Sequence, residues 1–147
     1  MEKYQQILCA TDFSQHCRLA AARAVELARH YGAKLTLLHV VEYFPEQRSN
    51  EWIEPEGADP RAYQEAKVRG LLAELAKQLD FADIGLEVRF TTDSARNAII
   101  RLAEEQGVDL IAVASHGRHG IGALLGSTAN GLVNSAPCDV LVVRATA

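Results

Sequence analysis

Positive charge is in short supply in this chain: 15 lysines and arginines stand against 19 aspartates and glutamates, a formal net charge of −4 over 147 residues. Such a balance provides no general field to hold a phosphodiester backbone, so nucleic acid is not an expected partner. Cysteine is scarce as well. Cys9, Cys17 and Cys138 are odd in number and lack C-x-x-C spacing, which argues against a disulfide framework and a cysteine-ligated zinc site. Cys17 stands apart because it follows a helix-start pattern, a place where a thiolate is stabilised. No apolar run approaches the ~20 residues that span a bilayer, and the run at 7–10 is far shorter than a secretory core. The expectations are no membrane insertion and a cytoplasmic location.

What is present is an ordinary globular balance, 48% hydrophobic and 23% charged, in a length suited to a single domain over 1–147. Residues 7–10 read as a strand that ends at Thr11-Asp12. Ser14 then caps a helix with Ala20, Ala21, Ala24, Leu27 and Ala28 on one face, and Gly32 closes it. Residues 34–41 are rich in β-formers and nearly uncharged, as a central strand covered on both faces requires. Residues 42–60 hold three of the four prolines and many acids, and are assigned no regular structure. An amphipathic helix follows over 61–80, with Ala66, Leu72, Leu75 and Leu79 as its apolar set. Next come a strand over 86–90, a helix over 94–106 ended by Gly107, and an apolar strand over 109–114. A helix over 127–135 and a strand over 140–144 complete the chain. Five strands alternating with four helices predict an α/β fold: an open five-stranded parallel sheet in a Rossmann-like, doubly wound three-layer sandwich.

In such a sheet, ligands collect beyond the carboxyl ends of the strands where the winding reverses, which points to the loops after strands one and four. Gly117, Gly120, Gly122, Gly126 and Gly131 crowd into that second region, and no acidic side chain occurs from Leu110 to Cys138. Glycine lets backbone amides approach an anion closely, and Ser127-Thr128 at a helix start add amides, hydroxyls and a positive dipole end. His116, Arg118 and His119 offer side-chain donors. No lysine precedes Ser127 as a Walker A motif demands, and ATDFS after strand one has no glycine for a dinucleotide fingerprint. His39, inside an apolar strand, reads as a satisfied core histidine. Tyr43 and Trp52 read as local packing, and Glu42, Glu46, Glu51 and Glu54 as a solvated charge run.

ATDFS, LLHVVE, SHGRHGIGALLGSTAN and CDVLVVRA, in this order over nearly the whole chain, resemble the universal stress protein family. The nucleotide-binding branch carries Gly, two residues, Gly, nine residues, then Gly-Ser or Gly-Thr. Here the run is Ala114, two residues, Gly117, eight residues, then Gly126-Ser127, so the first glycine is replaced and one loop residue is missing. The resemblance implies that Asp12, with Ala10 and Thr11 beside it, meets the ribose, and that Val40 offers its backbone to adenine. It further implies that Val113 and Ala114 line the pocket, while His116, Gly117, Arg118, Gly126, Ser127 and Thr128 surround the phosphates. The implied ligand is ATP, or ADP or AMP, with Mg2+ or Mn2+ arriving through the phosphates and no metal site from the protein alone.

The last strand is short, apolar and suited to a sheet edge, whose unpaired amides need a cover. The family resemblance implies a homodimer paired through Val140, Leu141, Val142, Val143 and Arg144. The resulting expectation is a dimeric stress-response regulator or sensor acting on a protein partner that the sequence does not identify. The alternatives are a dimeric interaction module that binds no nucleotide and a slow ATPase.

Overall fold

A computed structural model describes residues 4–42, 59–116 and 126–144. Among them the elements run β1 (Gln6–Ala10), α1 (Gln15–Tyr31), β2 (Lys34–Glu42), α2 (Pro60–Leu79), β3 (Ile84–Thr91), α3 (Ala95–Gln106), β4 (Leu110–Ala114), α4 (Ser127–Ser135) and β5 (Asp139–Val143). All strand pairs are parallel, in the order β3-β2-β1-β4-β5. The winding therefore runs outward from β1 in both directions. β2 is interior, as its apolar sequence requires, but β1 is the middle strand.

Each face of the sheet carries one helical layer, because alternate residues of a strand point to opposite sides. Ile7 and Cys9 of β1, with Leu110 and Ala112 of β4, share one core cluster with residues of α1 and α2. Leu8, Ile111 and Val113 meet α3 and α4 through Ile99, Leu102, Ala129 and Leu132. Leu8 and Ile111 have no exposed surface, and a buried side chain of that size contributes about 1.5–3 kcal/mol of hydrophobic stabilisation.

The helices begin and end where their caps dictate. Ser14 Oγ accepts the Cys17 N–H at the start of α1, and Ser94 Oγ accepts that of Asn97 at the start of α3. Gly32 and Gly107 adopt φ of 67° and 63° at the far ends, a conformation glycine reaches without a Cβ clash. The start of α2 differs from expectation: Pro60 occupies the first turn and Asp59 is the cap, since proline needs no N–H there. Its inward face also differs. Gln64, Val68, Leu72 and Leu75 are buried while Ala66 is exposed, so the stripe runs through a glutamine. Glu42 belongs to β2, and β5 ends at Val143, leaving the exposed Arg144 just beyond it. The rest of the segment expected to be irregular, 43–58, lies outside the described residues, with Tyr43, Trp52, Glu46, Glu51 and Glu54.

Candidate functional site

The turn after β1 is built from its own side chains. Thr11 Oγ1 accepts the Phe13 N–H at 2.9 Å, and Asp12 Oδ1 accepts the Ser14 N–H at 2.9 Å. These two short-range bonds hold Phe13 at φ 67°, a strained position for a residue with a Cβ. The Phe13 ring packs on His39 with centroids 4.9 Å apart, and His39 Nδ1 lies 2.7 Å from the Thr11 carbonyl. A carbonyl only accepts, so Nδ1 carries the hydrogen. His39 is thus satisfied, as the sequence suggested, yet it is half-buried and faces a cavity.

Cys17 meets the same turn. Its Sγ–H donates to Asp12 Oδ1 at 3.1 Å, and Sγ accepts the Asp12 N–H at 3.4 Å. Burial raises the thiol above its ordinary range, outweighing the lowering by the Asp12 N–H and Ser14. A stabilised thiolate at this helix start is therefore not what the fold provides: Cys17 is a buried thiol that fixes the Asp12 carboxylate.

On the other side of the reversal point, Ser115 follows β4 and its carbonyl accepts the Gly126 N–H at 2.7 Å, closing the base of the glycine-rich loop. Gly126 precedes α4 with φ −63° and ψ 159° and contributes no side-chain cap. The other three helices each have one. The first amides of α4 have no intrahelical acceptor, and the positive end of its dipole opens on the same space.

That space is a cavity of about 620 Å³ at the carboxyl ends of β1, β2 and β4. Of the residues expected at a nucleotide, Ala10, Thr11, Asp12, Val40, Val113, Ala114, His116, Gly126, Ser127 and Thr128 all line it. Gly117 and Arg118 lie outside the described residues. Residues that sequence reasoning did not place there, Phe13, Cys17, His39, Glu42, Leu71, Ala95, Ile99, Ser115 and Ala129, also contribute. The replacement of the first motif glycine is harmless to the backbone. Ala114 is an ordinary strand residue paired with Val143 and is absent from the positive-φ positions, so it needs none of glycine's freedom.

Among the described residues the lining is polarised: Asp12 and Glu42 sit on the β1 and β2 side, while the α4 amides and the Ser127 and Thr128 hydroxyls sit on the other. Such a cavity suits an elongated ligand with hydroxyl or amine donors at one end and an anion at the other. Fold and cavity together define a doubly wound α/β protein with a cavity at its topological switch point.

The universal stress protein family model matches residues 3–144, and this chain belongs to that family. It is 35% identical over 141 residues to Universal stress protein A homolog 1 of Coxiella burnetii, covering 95% of this chain and 96% of the relative. The second homolog from that organism is 37% identical over 147 residues, covering 98% and 97%. A universal stress protein solved in complex with cAMP superposes with a TM-score of 0.70 at 27% identity, covering 99% of this chain and 100% of the other.

Proposed function

We propose that this protein binds an adenine nucleotide, ATP or its shorter relatives ADP and AMP, and acts as a cytoplasmic, dimeric stress-response regulator. The observation that carries this reading is the polarised cavity. The α4 start receives phosphate through backbone amides, Asp12 accepts from ribose hydroxyls, and the Val40 backbone meets the base. The related protein that holds cAMP supports an adenine ligand. Mg2+ or Mn2+ enters with the phosphates, where it neutralises charge that the described lining, free of lysine and arginine, leaves uncompensated. No lysine follows Lys77 in the sequence, so the glycine-rich segment carries no Walker lysine of its own; this favours binding over phosphoryl transfer.

The regulatory half of the proposal rests on β5. It is an edge strand, and its Val140, Leu141 and Val142 are only half-buried within the chain. Antiparallel pairing with a second copy covers both the unpaired amides and these side chains. Arg144, just past the strand, lies at the rim of that contact. Bound nucleotide acts on a partner by favouring one arrangement of loop and dimer.

The decisive measurement is to denature freshly purified protein, identify the released small molecules, and titrate ATP, ADP and AMP calorimetrically. An adenine nucleotide in the extract, or saturable binding, is the expected result; no binding of all three defeats the nucleotide reading. Sedimentation at micromolar concentration tests the dimer separately, and a monomer there removes it.

A further inference from the structure

With Ser14 as the cap of α1, Cys17 holds the position from which a capping box sends a glutamate or glutamine back to the cap. The Cα–Cβ bonds of a helix tilt toward its start, so a side chain here points that way. In α1 it is a thiol, and it reaches past the cap. Ser14 Oγ accepts the Cys17 N–H at 3.3 Å, which fixes the Cys17 backbone. The side chain then exchanges two bonds with Asp12: Sγ accepts the Asp12 N–H at 3.4 Å, and S–H donates to Asp12 Oδ1 at 3.1 Å. The same Oδ1 accepts the Ser14 N–H at 2.9 Å. Cys17 therefore holds both the main chain and the carboxylate of Asp12.

Core packing alone does not ask for this. Cys17 is 5% exposed in an apolar cluster whose other buried α1 members are Ala20, Ala21, Ala24, Val25 and Ala28, where a small aliphatic side chain fills the space without polar contact. Burial keeps the thiol protonated, so it meets the carboxylate as a donor. A thiol is a weak donor, which restrains the carboxylate while leaving most of its accepting strength for a hydroxyl from outside. Asp12 and Cys17 both line the cavity, on the wall opposite the start of α4.

We propose that Cys17 is the positioning residue for Asp12: its thiol holds the carboxylate in the orientation that accepts from ribose hydroxyls. The proposal rests on the nucleotide reading above and adds to it that this pair sets the preference of the site for nucleotides that carry sugar hydroxyls over those that lack them.

AMP and dideoxy-AMP, which lacks both ribose hydroxyls, titrated against wild type, Cys17→Ala and Cys17→Ser test it. Wild type is expected to bind AMP about tenfold or more tightly than dideoxy-AMP, the effect of hydrogen bonds to a charged group. Cys17→Ala is expected to weaken AMP about fivefold and dideoxy-AMP less than about twofold, and Cys17→Ser, which keeps a donor, restores AMP to within about twofold. Unchanged AMP affinity in Cys17→Ala, equal losses for the two ligands, or a wild type that binds both alike overturns the proposal while leaving the nucleotide site standing. A wild type that binds neither ligand removes the nucleotide reading as well. Raman spectroscopy of the wild type gives a readout independent of variant folding. The Cys17 S–H stretching band, assigned by its loss in Cys17→Ser, is expected to rise in frequency when AMP binds, because ribose hydroxyls draw charge from Asp12 and loosen the thiol bond, and to stay in place with dideoxy-AMP. A band that AMP does not move overturns the assignment.

Discussion

The two ends of the sheet handle their polar groups in opposite ways. At the end where the strands begin, Asp109 accepts the Gln5 and Gln6 N–H groups at 2.9 and 3.1 Å, and its own N–H returns a bond to the Gln6 carbonyl. Lys34 N–H bonds the Gln5 carbonyl, and Tyr4 Oη donates to Asp139 at 2.7 Å. That end is tied shut by the protein itself. At the end where the strands finish, α4 starts without a side-chain cap and His116 Nε2 has no partner among the described residues, beside a cavity of about 620 Å³. The two ends of the same strands thus differ in chemistry, one internally satisfied and one open on a cavity. A doubly wound fold produces this division because all its parallel strands run the same way, so every helix starts at the same end.

Gly126→Asp breaks the contrast most sharply. The backbone at Gly126 is extended, which any residue adopts, and aspartate is a favoured N-cap. Its carboxylate takes the amides that the ligand needs. Nucleotide affinity is expected to fall at least ~100-fold through competing negative charge. Stability stays within about 0.5 kcal/mol, since aspartate caps as well as glycine or better. Calorimetry and urea denaturation on one preparation separate the two; retained affinity places the phosphate elsewhere. Asp109→Ala is the mirror experiment. It strips two N–H groups of their charged acceptor and should cost about 1–3 kcal/mol in urea unfolding, with nucleotide affinity unchanged. A drop in affinity as large as the drop in stability would mean the two ends are not independent.

The sequence conveyed the closed end and the open end with different clarity. Helix limits were readable from single residues, Ser14, Gly32 and Gly107, because capping is local chemistry, while Ser94, read as the first residue of its helix, is the cap before it. The inner face of α2 was not, since its stripe passes through Gln64, whose amide carries no apolar signal and whose Oε1 has no partner among the described residues. At the open end, the glycine spacing and the acid-free stretch pointed to segments whose described residues border the cavity. Phe13 and Ser115 were not assigned to the cavity, and His39 was read as a core histidine, because they share the cavity only through the strand order β3-β2-β1-β4-β5, a long-range fact no short motif encodes. Glu42, read as solvated and outside any regular element, is exposed, but it ends β2 and joins the cavity wall.

Tyr4→Phe probes the closed end most gently. The ring keeps its edge-on contact with Tyr31, centroids 5.2 Å apart, and loses only the bond to Asp139. At neutral pH the cost should be about 0.5 kcal/mol, the lower end for a hydrogen bond at a partly exposed site. Alkaline pH separates the variant from wild type more clearly. The Asp139 hydrogen bond, then burial and the Asp139 charge, push the Tyr4 phenol up to about 12 from 10.0. The folded state thus holds this proton after the unfolded chain has released it. Stability from the phenol is fully present below pH 10 and is lost as pH rises from 10 through 12. Wild type should therefore lose stability more steeply than Tyr4→Phe across that window. Parallel curves would mean that Asp139 does not hold the phenol in solution, leaving Asp109 as the main tie at this end of the sheet.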